Sequence, residues 1–159
     1  MGYTHYWSHD VNLDKQKLFA AMLHAVRIVE AAKAKGIELA GPSGEGEPML
    51  DEGIALNGVG EESHESFVFP NNPHDQFYKY TNAEHPGRLW AFCKTARKSY
   101  DIVVCAILLV MKHHLGNQLR VASDGGREED EWIPAENLVR EVLGYEVQFQ
   151  EEETLEALV

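Results

Sequence analysis

The chain of 159 residues is 44% hydrophobic and 9% aromatic, which is typical of a globular protein and not of a disordered one. Its 26 acidic and 14 basic residues give a formal net charge of −12, which argues against a general nucleic-acid coat and against binding to an anionic membrane. The N-terminus lacks the continuous apolar segment of a signal peptide, and the most apolar segment, residues 102–111, is too short to span a bilayer. We therefore expect a soluble, cytoplasmic protein without membrane contact.

The N-terminal third predicts a strand followed by an amphipathic helix. Residues 2–7 alternate in polarity, so Tyr3, His5 and Trp7 share one face of a strand. Asn12 is expected to cap a helix that begins at Leu13 and ends before a glycine at position 36.

The middle of the chain predicts short strands in a meander or in hairpins. Strands are expected at 53–56, 66–70 and 76–81, after a loop at 41–48. Asn57 and Gly58 follow the first of these strands and predict a tight turn between strands, because both residues tolerate positive φ.

The last third predicts two helices and two strands. A helix is expected at 100–115, capped by Ser99, then a strand at 118–123, a helix at 132–143 and a strand at 145–149. This order of elements indicates an α+β fold, in which helices pack on one face of a mainly antiparallel sheet in a split β-α-β arrangement. We expect one domain over residues 1–150 and an acidic tail over residues 151–159.

A basic run interrupts this acidic chain directly before the apolar helix. Four of the fourteen basic residues lie within positions 88–98. Fixed positive charge at the start of a helix favours an anion, because it adds to the field of the helix N-terminus. The predicted phosphate site consists of Lys94, Thr95, Arg97, Lys98, Ser99 and Tyr100. The alternative is that Arg97 and Lys98 only form salt bridges to Glu61, Glu62 or the C-terminal acids.

Two further groups are candidates for a role in ligand binding or chemistry. Tyr3, His5 and Trp7 could stack on a base or a sugar, although such a strand is also ordinary core. His64, Glu65 and Asp124 could act as acid, base or metal ligands. However, Glu65 is not followed by the histidine of an HExxH motif, and Asp124 with Gly125 also fits a plain turn. Neither cysteine has a CxxC partner, so we expect no metal site and no cofactor.

The motifs of the chain resemble those of a family of small proteins from bacteriophages and bacterial genomes whose activity is not established. The matching segments are residues 1–7, 57–58, 64–65, 92–101 and 123–125, and the family has proline at the position of Ser99. The resemblance implies a phage-type protein that acts in the host cytoplasm. By analogy, such proteins bind host proteins or signalling molecules.

We therefore expect a non-enzymatic protein that binds a small anionic ligand, such as a nucleotide or a nucleotide-derived immune signal, and sequesters it. Several donors are needed to bury phosphate groups, so a homo-oligomer is also expected. The alternatives are a phosphodiesterase-type hydrolase that uses His64, Glu65 and Asp124, and an acidic module that inhibits a host protein.

Overall fold

The elements of the fold are seen in a computed structural model that describes residues 3–70, 88–125 and 132–150. Its strands are β1 (Thr4–Asp10), β2 (Ile54–Leu56), β3 (Phe67–Phe69), β4 (Arg88–Lys94) and β5 (Leu119–Ser123). Its α-helices are α1 (Lys15–Ala34), α2 (Asp101–Leu115) and α3 (Trp132–Leu143). Within these ranges, no helix combines the length and the apolar composition that crossing a membrane requires.

The main sheet has three strands in the order β4-β1-β5, and both pairings with β1 are antiparallel. Strands β4 and β5 are therefore parallel to each other, with β1 between them, and α2 connects them. This is the predicted split β-α-β arrangement. A separate two-stranded antiparallel sheet pairs β2 with β3. The α+β class with a mainly antiparallel sheet is thus confirmed.

Helix α2 forms the centre of the hydrophobic core. Eleven of its fifteen residues are buried, and it contacts α1, α3 and β5. Helix α1 buries a narrower face made largely of small residues: Ala21, Ala25, Ile28, Val29 and Ala32. Because alanine has a short side chain, α1 packs closely against α2. Five of the seven residues of β1, at positions 4, 5, 7, 8 and 9, are buried as well, so both faces of this central strand are largely covered.

Two predicted helix caps are wrong. Asp14, not Asn12, caps α1, because its carboxylate accepts hydrogen bonds from the backbone N–H groups of Gln16 and Lys17. Helix α2 begins one residue later than predicted, and its N-cap is Tyr100 without a side-chain cap. Ser99 lies outside the helix. The predicted end of α1 is confirmed, because Gly36 has φ of 92° directly after the C-cap Lys35.

Asn57 and Gly58 do not form the predicted tight turn between strands, because β3 begins only at residue 67. Instead, the Asn57 side chain closes a wider loop. Its carbonyl oxygen accepts the N–H groups of Gly58 and His64, and its amide donates to the carbonyl oxygens of Pro42 and His64. The Asn57 amide therefore ties together three loop segments.

The predicted strand at 145–149 is also absent from the described residues. The N–H of Phe149 donates to the Glu136 carboxylate at 3.0 Å instead of pairing with a strand. The Phe149 ring stacks on Trp132 with a centroid distance of 3.8 Å. The alternating pattern thus serves to dock this segment onto α3. The predicted strand at 76–81 and the acidic tail at 151–159 lie outside the described residues.

Candidate functional site

One end of the main sheet brings together most of the residues that the sequence singles out. At this end Thr4 of β1 pairs with Lys94 of β4, and His5 pairs with Ser123 of β5. The chain therefore leaves β4 and β5 on either side of the start of β1. The bend at residues 95–99, which connects β4 to α2, lies at this end.

The bend has an unusual backbone conformation. Ala96 and Arg97 have φ values of 52° and 57°, in the left-handed region that non-glycine residues seldom occupy. The carbonyl oxygen of Tyr3 accepts the N–H groups of both Thr95 and Ala96 at 3.1 Å. The exposed Arg97 guanidinium lies over the Tyr3 ring, 4.6 Å from its centroid, at a distance suited to a cation–π contact. Tyr3 thus supports the bend through both its backbone and its ring.

The three cations of the bend reach solvent to different extents. Arg97 is exposed, and Lys94 and Lys98 are partly exposed. None of the salt bridges among the described residues involves Lys94 or Lys98. For Lys98, the predicted alternative of a salt bridge to Glu61 or Glu62 is therefore not seen among the described residues.

A carboxylate of the protein does occupy the predicted anion position. The N–H of Ser99 donates to Oε2 of Glu62 at 2.8 Å, and the N–H of Asp101 donates to the carbonyl oxygen of Lys98. Glu62 is exposed and ends a single turn of 3₁₀ helix. The start of α2 therefore binds a carboxylate, but one that belongs to the chain itself.

His64, Glu65 and Asp124 lie near this end but form structural contacts. His64 Nδ1 is 2.9 Å from the carbonyl oxygen of Lys94, and the Glu65 carboxylate accepts the Lys94 N–H. Asp124 lies across β1, where it accepts the N–H of Thr4 at 3.1 Å and the hydroxyl of Tyr6 at 3.0 Å. In the described part of the chain, the three side chains do not converge on one metal-sized position.

Several predicted ligand contacts are buried. Trp7 packs against Phe67 in the core, and Tyr3, His5 and Thr95 are also buried. Tyr100 is buried, and its hydroxyl donates to the carbonyl oxygen of Glu65 at 2.6 Å. Burial raises the pKa of Tyr100 far above its usual value, so its hydroxyl stays neutral. The aromatic and imidazole rings among them are therefore covered and do not face solvent.

A buried polar network, which the sequence analysis missed, lies directly beneath the bend. His5 Nε2 is 2.6 Å from Asp101 Oδ1, and His5 Nδ1 is 2.9 Å from Ser123 Oγ. Thr95 donates its hydroxyl to the same oxygen of Asp101. The sulfur of Cys105 lies 3.4 Å from His5 Nε2 and 3.7 Å from Asp101 Oδ2.

Two features of the sequence could have indicated this network. Asp101 and Cys105 are four residues apart on α2 and so share a face of a helix that is otherwise apolar. His5 lies on the buried face of β1. The sequence does not show that β1 lies beside the start of α2, which is what brings His5 to Asp101.

The order Ser123–His5–Asp101 has the composition of a hydroxyl–imidazole–carboxylate relay. However, Ser123 is buried, donates to the Tyr3 hydroxyl at 3.3 Å and accepts the N–H of Gly125 at 3.3 Å. Its oxygen is therefore held inside the protein and is not presented to a substrate. The neighbouring imidazole, carboxylate and thiol are donors that could hold a divalent metal.

Comparisons with known proteins give no match, whether the chain is compared with protein-family models, with curated proteins or with solved structures.

Proposed function

We propose that this protein binds a small anionic ligand at the bend between β4 and α2, through Lys94, Arg97 and Lys98. The observation that carries the proposal is the contact between the Ser99 N–H and the Glu62 carboxylate at 2.8 Å. The Ser99 N–H lies just before the N-cap of α2, near the positive end of this buried helix, where an anion is favoured, and here it already binds a carboxylate. A ligand phosphate would take the place of this carboxylate.

Charge favours the exchange. Three cations lie within positions 94–98 of a chain whose net charge is −12. A phosphate group carries more negative charge than one carboxylate, and it accepts two hydrogen bonds from a guanidinium. Glu62 is exposed at the end of a short turn, so its side chain can move away without disturbing the core. Tyr3 beneath Arg97 holds the guanidinium near the bend.

We propose a nucleotide or a nucleotide-derived signal as the ligand class, held intact and thereby sequestered. Because His5 and Trp7 are buried, a base would have to use other rings than those we predicted from the sequence. Phe92 is exposed and lies two residues before Lys94, on the same face of β4. Tyr6 pairs with Phe92 across the sheet, so a base could stack there while its phosphate reaches the bend.

Calorimetry with pyrophosphate and a panel of nucleotides tests this proposal. Arg97→Ala should weaken binding by about tenfold or more, since it removes charge-assisted hydrogen bonds to the ligand. Glu62→Gln should strengthen binding, because it removes the competing charge. Arg140→Ala is the matched control, because Arg140 is also exposed but lies on α3 and contacts Asn137.

Opposite effects of Arg97→Ala and Glu62→Gln, with no effect of Arg140→Ala, would support the site. Equal binding by the wild type and all three variants would mean that any ligand binds elsewhere, and would refute the proposal. The absence of binding to every ligand of the panel would refute it as well. Recovery of the intact ligand after prolonged incubation would distinguish sequestration from hydrolysis.

A further inference from the structure

We propose that His5, Asp101 and Cys105 form a buried site for a zinc-type divalent cation. The three side chains are buried, and each offers one donor atom such that all three atoms lie within 4.8 Å of one another. An imidazole, a carboxylate and a thiol are ligands that Zn²⁺ takes in proteins. This site is independent of the anionic ligand proposed above, because its donors point into the core.

The distances suit tetrahedral coordination. Zn–S bonds of about 2.3 Å and Zn–N bonds of about 2.0 Å place two such donors about 3.5 Å apart. The sulfur of Cys105 lies 3.4 Å from His5 Nε2 and 3.7 Å from Asp101 Oδ2. The contact of 2.6 Å between His5 and Asp101 Oδ1 is a hydrogen bond, and a metal would replace the proton in it. Asp101 can then use Oδ2, which faces the sulfur.

Charge also balances at this position. A thiolate from Cys105 and a carboxylate from Asp101 together neutralise one divalent cation, while His5 binds as a neutral imidazole. A buried site without net charge avoids the desolvation penalty of an unpaired ion. The Cys105 thiol must lose its proton when the metal binds, and the proton of the His5–Asp101 hydrogen bond is displaced as well, so uptake should release two protons.

The hydrogen bonds around the donors orient them as ligands. Ser123 Oγ has a single hydrogen, which it donates to Tyr3, and so it can only accept from His5 Nδ1. Because Nδ1 keeps its proton, Nε2 is the nitrogen that would bind the metal, once the proton that it shares with Asp101 is displaced. Thr95 holds the other carboxylate oxygen, Oδ1. Such support of metal ligands by neighbouring hydrogen-bond partners is typical of metal sites.

The protein donors supply three ligands, so a water or the Thr95 hydroxyl would complete four-coordination. Strand β1 and helix α2 meet only in the folded chain, which explains why the sequence spacing predicts no metal site. We therefore infer that the ion is taken up as the chain folds, and that its removal destabilises the core.

Titration of chelator-treated full-length protein with Co²⁺ tests the site, because a cobalt–thiolate bond gives a charge-transfer band in the near ultraviolet. The band should appear with one equivalent of Co²⁺, disappear when Zn²⁺ is added, and be absent from Cys105→Ala. Cys93→Ala is the matched control, since Cys93 is equally buried but its thiol contacts the carbonyl oxygen of Glu65. This variant should keep the band.

A second measurement needs no substitution and so does not depend on the folding of a variant. Alkylation of the wild-type thiols in mild denaturant, mapped by mass spectrometry, should slow at least severalfold at Cys105 when Zn²⁺ is present. Alkylation of Cys93 should slow less. Equal protection of both cysteines, no protection at either, or a cobalt band that survives Cys105→Ala would each overturn the proposal.

Discussion

His5 Nε2 lies 2.6 Å from Asp101 Oδ1 inside the protein, although the two residues are 96 positions apart in the chain. The contact joins the first strand to the first residue of the central helix. A buried carboxylate needs a partner, and His5 provides one for Asp101. This explains why an acid is tolerated at the start of α2, whose other buried residues are apolar. The same contact lies under the bend that carries the proposed ligand site.

Removal of one partner of this pair should destabilise the fold strongly. Asp101→Ala leaves the imidazole of His5 without its carboxylate, and we expect the free energy of unfolding to fall by about 3–5 kcal/mol. Urea denaturation of the metal-free protein measures this. In contrast, loss of the half-exposed Lys35–Glu141 pair through Lys35→Ala should cost less than about 1 kcal/mol. Similar costs for the two substitutions would contradict the importance of the buried pair.

The segment after α3 should contribute to the core despite having no regular structure. Phe149 is 6% exposed and stacks on Trp132, so Phe149→Ala should lower the free energy of unfolding by about 3–4 kcal/mol. Phe92 is 44% exposed, and Phe92→Ala should cost well under half as much. Chemical denaturation of both variants gives the comparison. A Phe149→Ala variant as stable as the wild type would show that this segment does not dock.

Gly58 should not tolerate a side chain. A Cβ atom at this position would lie 2.0 Å from the carbonyl oxygen of Glu62, within the loop that positions the Glu62 carboxylate. We expect Gly58→Ala to destabilise the fold by about 2 kcal/mol or more, in the range of steric substitutions. It should also weaken the contact between Glu62 and Ser99. Gly36→Ala meets no atom within 4 Å and should cost only about 1 kcal/mol of backbone strain. Thermal unfolding of both variants distinguishes a clash from strain.

Stability should fall on mild acidification because of a histidine pair between α1 and α2. His24 Nδ1 lies 2.9 Å from His114 Nε2 and 3.0 Å from the Tyr145 hydroxyl. Burial lowers the pKa of both histidines, and His113 and Arg27 nearby add to the effect on His24. A lowered pKa in the folded state means that protonation favours the unfolded chain. The stability that the two neutral histidines contribute is therefore fully present above the ordinary histidine pKa of about 6.5. It is lost as the pH falls from that value towards their lowered pKa in the folded state.

Unfolding free energies of the wild type and His114→Asn at about pH 7 and about pH 5.5 check this prediction. The decline between the two pH values should be smaller in the variant. Some decline should remain, because burial also lowers the pKa of His9. An equal decline in both proteins would show that the pair does not contribute.

Much of the fold follows from local patterns in the sequence. Helix α3 has the predicted bounds, and α2 differs by one residue, because amphipathic or apolar periodicity over ten or more residues is a strong signal. The tight turn predicted at Asn57 is wrong, although an asparagine followed by a glycine usually marks such a turn. Here its side chain makes contacts with distant loop segments that no local pattern shows.

The site was predictable only in part. The basic run and its position before α2 are visible in the sequence, and the structure places them at one end of the sheet. Burial of His5 and Trp7, the Glu62 contact and the Asp101 network depend on the pairing of distant strands. Residues of one strand alternate between two faces, and the sequence alone does not say which face is covered.

The backbone amide of Ser99 offers the most direct test of the ligand site. Its NMR resonance in ¹⁵N-labelled protein should move on titration with the tightest-binding nucleotide, because a phosphate oxygen would replace the Glu62 carboxylate as its acceptor. We predict that the largest shifts cluster at residues 94–99 and that they saturate with the calorimetric affinity. Saturating shifts centred elsewhere, with the Ser99 resonance unmoved, would contradict the anion site at this bend.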